Sequence, residues 1–129
     1  MNVTEYFKEM YHNIWQSNDI SRFDEYYAKD FQETISLSDD HKQPIEINMD
    51  YVHLKEQAKL QKDNYQDTTI DYKAIVPGEN NHISVYFHST SIVKKTGELQ
   101  HRCVCGIWRL NENQQIDRVW AVVTPYYEH

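Results

Sequence analysis

The sequence predicts an α+β fold, a cone-shaped curved antiparallel sheet wrapped around N-terminal helices. Three observations predict it. Apolar residues recur with a helical period through Trp15, the period falls to two after Asp67, and short turns punctuate the second half of the chain. Over residues 3–17, Val3, Tyr6, Phe7, Met10, Tyr11, Ile14 and Trp15 share one helical face. Asn2 followed by Glu5 is a capping-box pattern with Asn in place of Ser or Thr. Ser17-Asn18-Asp19 ends this helix and caps a second one over about 20–29, with Ile20, Phe23, Tyr26 and Tyr27 inward. Residues 31–37 alternate as a short strand. Residues 38–48, with Asp39, Asp40, His41 and Pro44, read as an irregular connection, and a third helix follows over about 49–64 with Tyr51, Leu54 and Ala58 on a narrow stripe.

From residue 67 the pattern is that of strands. Ile70, Tyr72, Ala74 and Val76 alternate with their neighbours, and Pro77 to Asn81 is a turn. Residues 82–94 form a long strand rich in β-branched and aromatic side chains. Lys95-Thr96-Gly97 turns the chain into 99–110. Asn111 to Gln114 turns it again into 115–124, where Pro125 ends the ladder. Four long strands in a meander must curl, and their inner face needs helices over it. The first helix therefore lies across the concave side.

Composition bounds the function. A chain of 129 residues is one domain, 1–129. With 40% hydrophobic and 26% charged residues it reads as globular. A net charge of −7 argues against a nucleic-acid partner, which needs Lys and Arg against phosphate. No apolar run approaches the ~18 residues of a membrane span, and the N-terminus has no stretch of signal-peptide type, so the expected location is cytoplasmic. Cys103 and Cys105 are then expected as free thiols. Two apart on a strand they sit about 7 Å from one another, outside disulfide range. His101-x-Cys103-x-Cys105 spans about 13 Å of strand, too far for one tetrahedral zinc, so no metal is expected. Nucleophile and phosphate-loop signatures are absent, and no cofactor is expected.

Candidate acid–base groups lie on the long strands. Ser84, Tyr86, His88 and Thr90 share one face of 82–94, and Ile83, Val85 and Phe87 share the other. The first set mixes an aromatic, hydroxyls and an imidazole, as a ligand pocket does, and it equally fits a solvated face. His101 is the second histidine candidate. Tyr6 and Tyr11 lie on the inner stripe of the first helix, as core residues or as donors.

Four segments carry a resemblance. Tyr27-Ala28-Lys29-Asp30-Phe31, Tyr65-Gln66-Asp67, Gly106-Ile107-Trp108-Arg109-Leu110 and Gln115 through Val123 resemble, in order and spacing, the nuclear transport factor 2-like superfamily. Within it the chain is most similar to the SnoaL-like polyketide cyclase and ester cyclase group. The resemblance implies a cystatin-like cone with a small-molecule pocket between helix and sheet, and a homodimer through the outer sheet face. It implies an apolar pocket floor at Val119 and Ala121; Tyr11, Trp15, Tyr86 and Trp108 are the further candidate ligand contacts. Where cyclase-like members carry His-Trp-Asp, this chain has Val119-Trp120-Ala121, so the usual carboxylate is missing there. Where many carry a histidine after the Asp-Phe step this chain has Thr34; the nearest carboxylate is Glu33, whose face depends on strand register. The expected function is binding of an apolar or aromatic small molecule. The alternative is a cofactor-independent isomerase, cyclase or dehydratase, with His88 or His101 as base and a tyrosine as donor.

Overall fold

A computed structural model describes residues 2–39, 43–124 and 127–128. Asp40, His41, Pro125 and Tyr126, which figure in the sequence reading, lie outside the described residues. Helix α1 (Val3–Met10) starts where the cap predicts: Asn2 Oδ1 accepts from the Glu5 N–H at 2.8 Å. Instead of continuing as α-helix it widens into a π-helical turn over Tyr11–Gln16. There the Ser17 N–H reaches the His12 carbonyl at 2.8 Å. The second helix is shorter than its pattern suggests, a 3-10 turn at Ile20–Arg22 followed by α2 (Phe23–Tyr26). The strand begins at once, because Tyr27 already has extended backbone.

Strand β1 runs over Tyr27–Asp39 and β2 over Gln43–Asp50. The stretch expected to be irregular is thus half of a hairpin. Ile45, Ile47 and Met49 supply its alternation, and Pro44 is accepted because β2 lies at the sheet edge. Helix α3 (Tyr51–Asn64) is capped by Asp50 and buries only Leu54 and Ala58 fully. The meander follows as β3 (Tyr65–Pro77), β4 (His82–Val93), β5 (Leu99–Leu110) and β6 (Ile116–Val123), with a two-residue β7 (Tyr127–Glu128) against β5.

The strand order is β2-β1-β6-β5-β4-β3. The last strand returns beside the first and runs parallel to it, with Glu33 opposite Val119 and Ile35 opposite Ala121. The sheet is therefore curved and mixed, where antiparallel pairing throughout was expected. Periodicity within a strand reports its faces and is silent on its partner's direction. Phe7, Met10 and Ile14 from the helical stripe meet Ile83, Val85, Phe87, Trp108 and Val119 from the concave face, and these form the core with Phe23, Tyr27 and Phe31. Among the described residues no helix is long and apolar enough to cross a membrane, and Cys103 and Cys105 are unbridged.

Candidate functional site

Between the concave face, the π-helical turn and α3 lies a cavity of about 490 Å³, within the range of small-molecule sites. Tyr11 and Trp15 form its roof, Phe87, Val104, Trp108, Ala121 and Val123 its floor, and Ile35, Leu37, Ile47 and Met49 the side made by the β1–β2 hairpin. Leu54, Gln57, Leu60, Gln61 and Asn64 close it from α3. Further polar or charged residues line it, among them Glu33, Thr68, Ser89, Arg102 and Thr124.

The aromatic walls brace one another. Tyr11 stacks on Phe7 at 4.9 Å and meets the edge of Phe87 at 5.0 Å and of Trp108 at 6.3 Å. Trp15 Nε1 donates to the Tyr27 hydroxyl at 2.9 Å, and that hydroxyl points to Met10 Sδ at 3.2 Å. The polar atoms of Trp15 and Tyr27 are thereby occupied. The Tyr11 hydroxyl makes no hydrogen bond among the described residues. Burial first, then the neighbouring Tyr27 and Glu33, hold this phenol well above its ordinary pKa. It stays protonated and is a standing hydrogen-bond donor.

Glu33 enters the cavity because it shares strand parity with Phe31, which is 1% exposed, and with Ile35 and Leu37. Its neighbour Thr34 points to the other face, donates to Asn48 Oδ1 at 3.0 Å and accepts from Arg118 at 3.0 Å. The Glu33 carboxyl has no hydrogen bond or ion pair among the described residues. Burial pushes its pKa from 4.5 to about 7, with Arg118 and Arg102 pulling more weakly the other way. A carboxyl that takes up and releases a proton near neutrality, facing a largely apolar cavity beside a neutral phenol, suits general acid–base work.

Of the residues singled out from sequence, Tyr11, Trp15, Trp108 and Ala121 line the cavity. Val119 is on the same concave face but packs into the core, 1% exposed, and does not reach the cavity. Tyr86, His88 and His101 are corrections: all three lie on the convex face. On β4 the apolar set Ile83, Val85 and Phe87 faces inward at 1% exposure each, which turns Tyr86 and His88 outward. There the Tyr86 hydroxyl bonds His88 Nε2 at 2.8 Å, and His88 lies in register between Asp71 and Cys103. On β5 the inward set is Arg102, Val104, Gly106 and Trp108, so His101, Cys103 and Cys105 face out. Arg102, Ser89, Thr68 and Gln61 went unrecognised in the sequence. Their signal was parity: Arg102 alternates in phase with Trp108, and Ser89 with Phe87.

No protein-family model and no curated protein sequence matches this chain. Solved structures do. A candidate polyketide cyclase from Acidithiobacillus ferrooxidans superposes with a TM-score of 0.70 at 16% identity, covering 94% of this chain and 87% of its own. IdmH, a candidate polyketide cyclase from Streptomyces antibioticus, does so with a TM-score of 0.70 at 16% identity, covering 95% and 92%. SalBIII, an epoxide hydrolase/cyclase-like enzyme with a role in pyran ring formation in the polyether salinomycin, gives 0.66 at 12% identity, covering 94% and 89%. At these identities the likeness concerns the fold. The chain has the nuclear transport factor 2-like fold.

Proposed function

We propose that the chain is an acid–base catalyst of isomerase or cyclase type, acting on an apolar small molecule with an enolisable carbonyl. The observation that supports this most is the Glu33 carboxyl, unpaired among the described residues and facing the cavity that the neutral Tyr11 phenol also lines. In this reading the Glu33 carboxylate takes a proton from the carbon next to the carbonyl. The C–H electron pair moves into an enolate, whose oxygen accepts the Tyr11 hydrogen bond. The protonated Glu33 then returns its proton to another carbon. In a ring closure, the enolate carbon attacks a second carbonyl and the new alkoxide takes the proton. Glu33 thus stands where the histidines were expected. The cyclase-like descriptions of the structural neighbours agree with this class of chemistry. A binding module without turnover is the second reading, favoured by the unreactive Val119-Trp120-Ala121 strand.

The test is α-proton exchange of β-tetralone in deuterated water, followed by NMR. Wild type should accelerate exchange, with a rate that rises to a plateau above about pH 7 as Glu33 ionises. Glu33→Gln should lower it by roughly a hundredfold or more, and Tyr11→Phe by roughly tenfold or more. Tight binding of the ketone with no exchange would leave the binding reading in its place.

We infer also that two copies pair through the convex face. Val122 (62% exposed), Ile107 (41%), Tyr86 (39%) and Trp120 (38%) form one patch there, since Ile107 is in register with Trp120, and Cys105 with both Val122 and Tyr86.

A further inference from the structure

The cavity-lining residues that are exposed to solvent mark its mouth. They are Ile47 on β2 and Gln57, Leu60 and Asn64 on α3. The three from α3 fall on one helical stripe, so a single face of that helix borders the opening. Two of the four are large aliphatic residues, Ile47 at 41% exposure and Leu60 at 47%. From the mouth an aliphatic strip runs inward to Glu33 along the β1–β2 hairpin. In register, Leu37 is opposite Ile45, Ile35 opposite Ile47, and Glu33 opposite Met49. Ile45, at 44% exposure, carries the strip past the cavity. The polar residues Glu46, Asn48 and Asp50 take the other face of β2.

This strip is long, narrow and open at its far end. Glu33 to Leu37 spans roughly 13 Å of strand, and the two strands lie about 5 Å apart. The cavity-facing side of a strand is where burial is gained, and leaving Ile45, Ile47 and Leu60 wet forgoes that gain. A ligand that covers them recovers it. Branched aliphatic side chains offer no flat face for a ring to stack on, unlike Tyr11, Trp15 and Trp108 elsewhere in the cavity. A hydrocarbon chain fits both the shape and the chemistry. We propose that the molecule accepted here carries an unbranched aliphatic chain, laid along Ile35, Leu37 and Ile47 and leaving the cavity past Leu60. That its carbonyl then lies at Glu33 rests on the acid–base reading above. The chain itself rests on the strip and the mouth alone.

Calorimetric titration of the whole chain with 2-pentanone, 2-heptanone and 2-nonanone tests it, because binding is read without turnover. Each added methylene should tighten binding by about twofold or more, so wild type should bind 2-nonanone at least about tenfold more tightly than 2-pentanone. Ile47→Thr keeps a β-branched residue in the strand and Leu60→Gln keeps a good helix former. Each should cut that ratio by about threefold or more. They sit on different elements, so either one decides the matter if the other fails to fold. Val52→Gln removes an exposed apolar residue of α3 that does not line the cavity, and should leave the ratio as it is. A wild-type ratio near one, a ratio that Ile47→Thr and Leu60→Gln leave unchanged, or no binding of any of the three ketones overturns the inference. The acid–base reading is judged apart from it by exchange on β-tetralone. A steep ratio with no exchange would sink that reading and uphold the chain, and exchange with a flat ratio would do the reverse.

Discussion

Glu33 shows how one residue's face sets its chemistry. Shifted by one position it would be a surface carboxylate like many others in this acidic chain. On the concave side it is desolvated, and its pKa rises from 4.5 to about 7. Between those values the unfolded chain has already released the proton that the folded chain still holds, so stability falls as pH rises through this window and is level above it. The penalty is of the order of 3 kcal/mol. Glu33→Gln should therefore raise the urea midpoint at about pH 8 by an amount corresponding to roughly 1–3 kcal/mol and change it little at about pH 5. Equal effects at both values would mean that the carboxylate is solvated in the folded state. Gain of stability with loss of exchange activity is the pattern of a functional group held at an energetic disadvantage.

At the scale of elements, the concave surface depends on Gly106 in the middle of β5. A Cβ there would lie 2.7 Å from the Trp120 carbonyl oxygen, 3.0 Å from Trp108 Cζ3 and 3.1 Å from Ala121 Cβ. The glycine lets the Trp108 indole lie back over its own strand, and that ring is part of the cavity floor. Gly106→Ala should cost about 1–3 kcal/mol in an unfolding titration, because the closest clash is with backbone. An unchanged midpoint would show that β5 and β6 separate without strain. The π-helical turn serves the same surface from above, carrying Tyr11 and Trp15 with ring centres 6.3 Å apart. The apolar repeat of α1 runs through this segment without a break, and for that reason the change of hydrogen bonding was not visible in the pattern.

At the scale of the whole molecule, the sheet has two apolar sides. The concave side is covered by helices, and the convex side carries Val122, Ile107, Trp120 and Tyr86 in one patch. If this patch is the seam between two copies, light scattering should give twice the 15.5 kDa chain mass for wild type. Trp120→Glu with Val122→Lys should then give the single-chain mass, since two charges would face their symmetry mates across the seam. A wild type that scatters as a single chain at tens of micromolar refutes the pairing. The cavity lies on the other side of the sheet, so the double variant should retain any exchange activity on β-tetralone.

The sequence by itself determined the order of the helices and of the long strands other than β2, the first helix's cap and inner stripe, and the four-strand meander. Each of these is written in local periodicity and turn chemistry, which act over a few residues. Only the tertiary structure decided which side of each strand is inside. On β4, Ile83-Val85-Phe87 and Ser84-Tyr86-His88 are both plausible linings, and the choice follows from which set packs with Phe7, Tyr11 and Ile14 in the core. The same contact turns His88 outward, and in β1 the parallel pairing with β6 turns Glu33 inward. Strand direction and partner are long-range properties with no local signature. Glu33, the proposed acid–base group, was therefore present in the sequence as one carboxylate among twenty acidic residues, and became distinct only when burial set it apart.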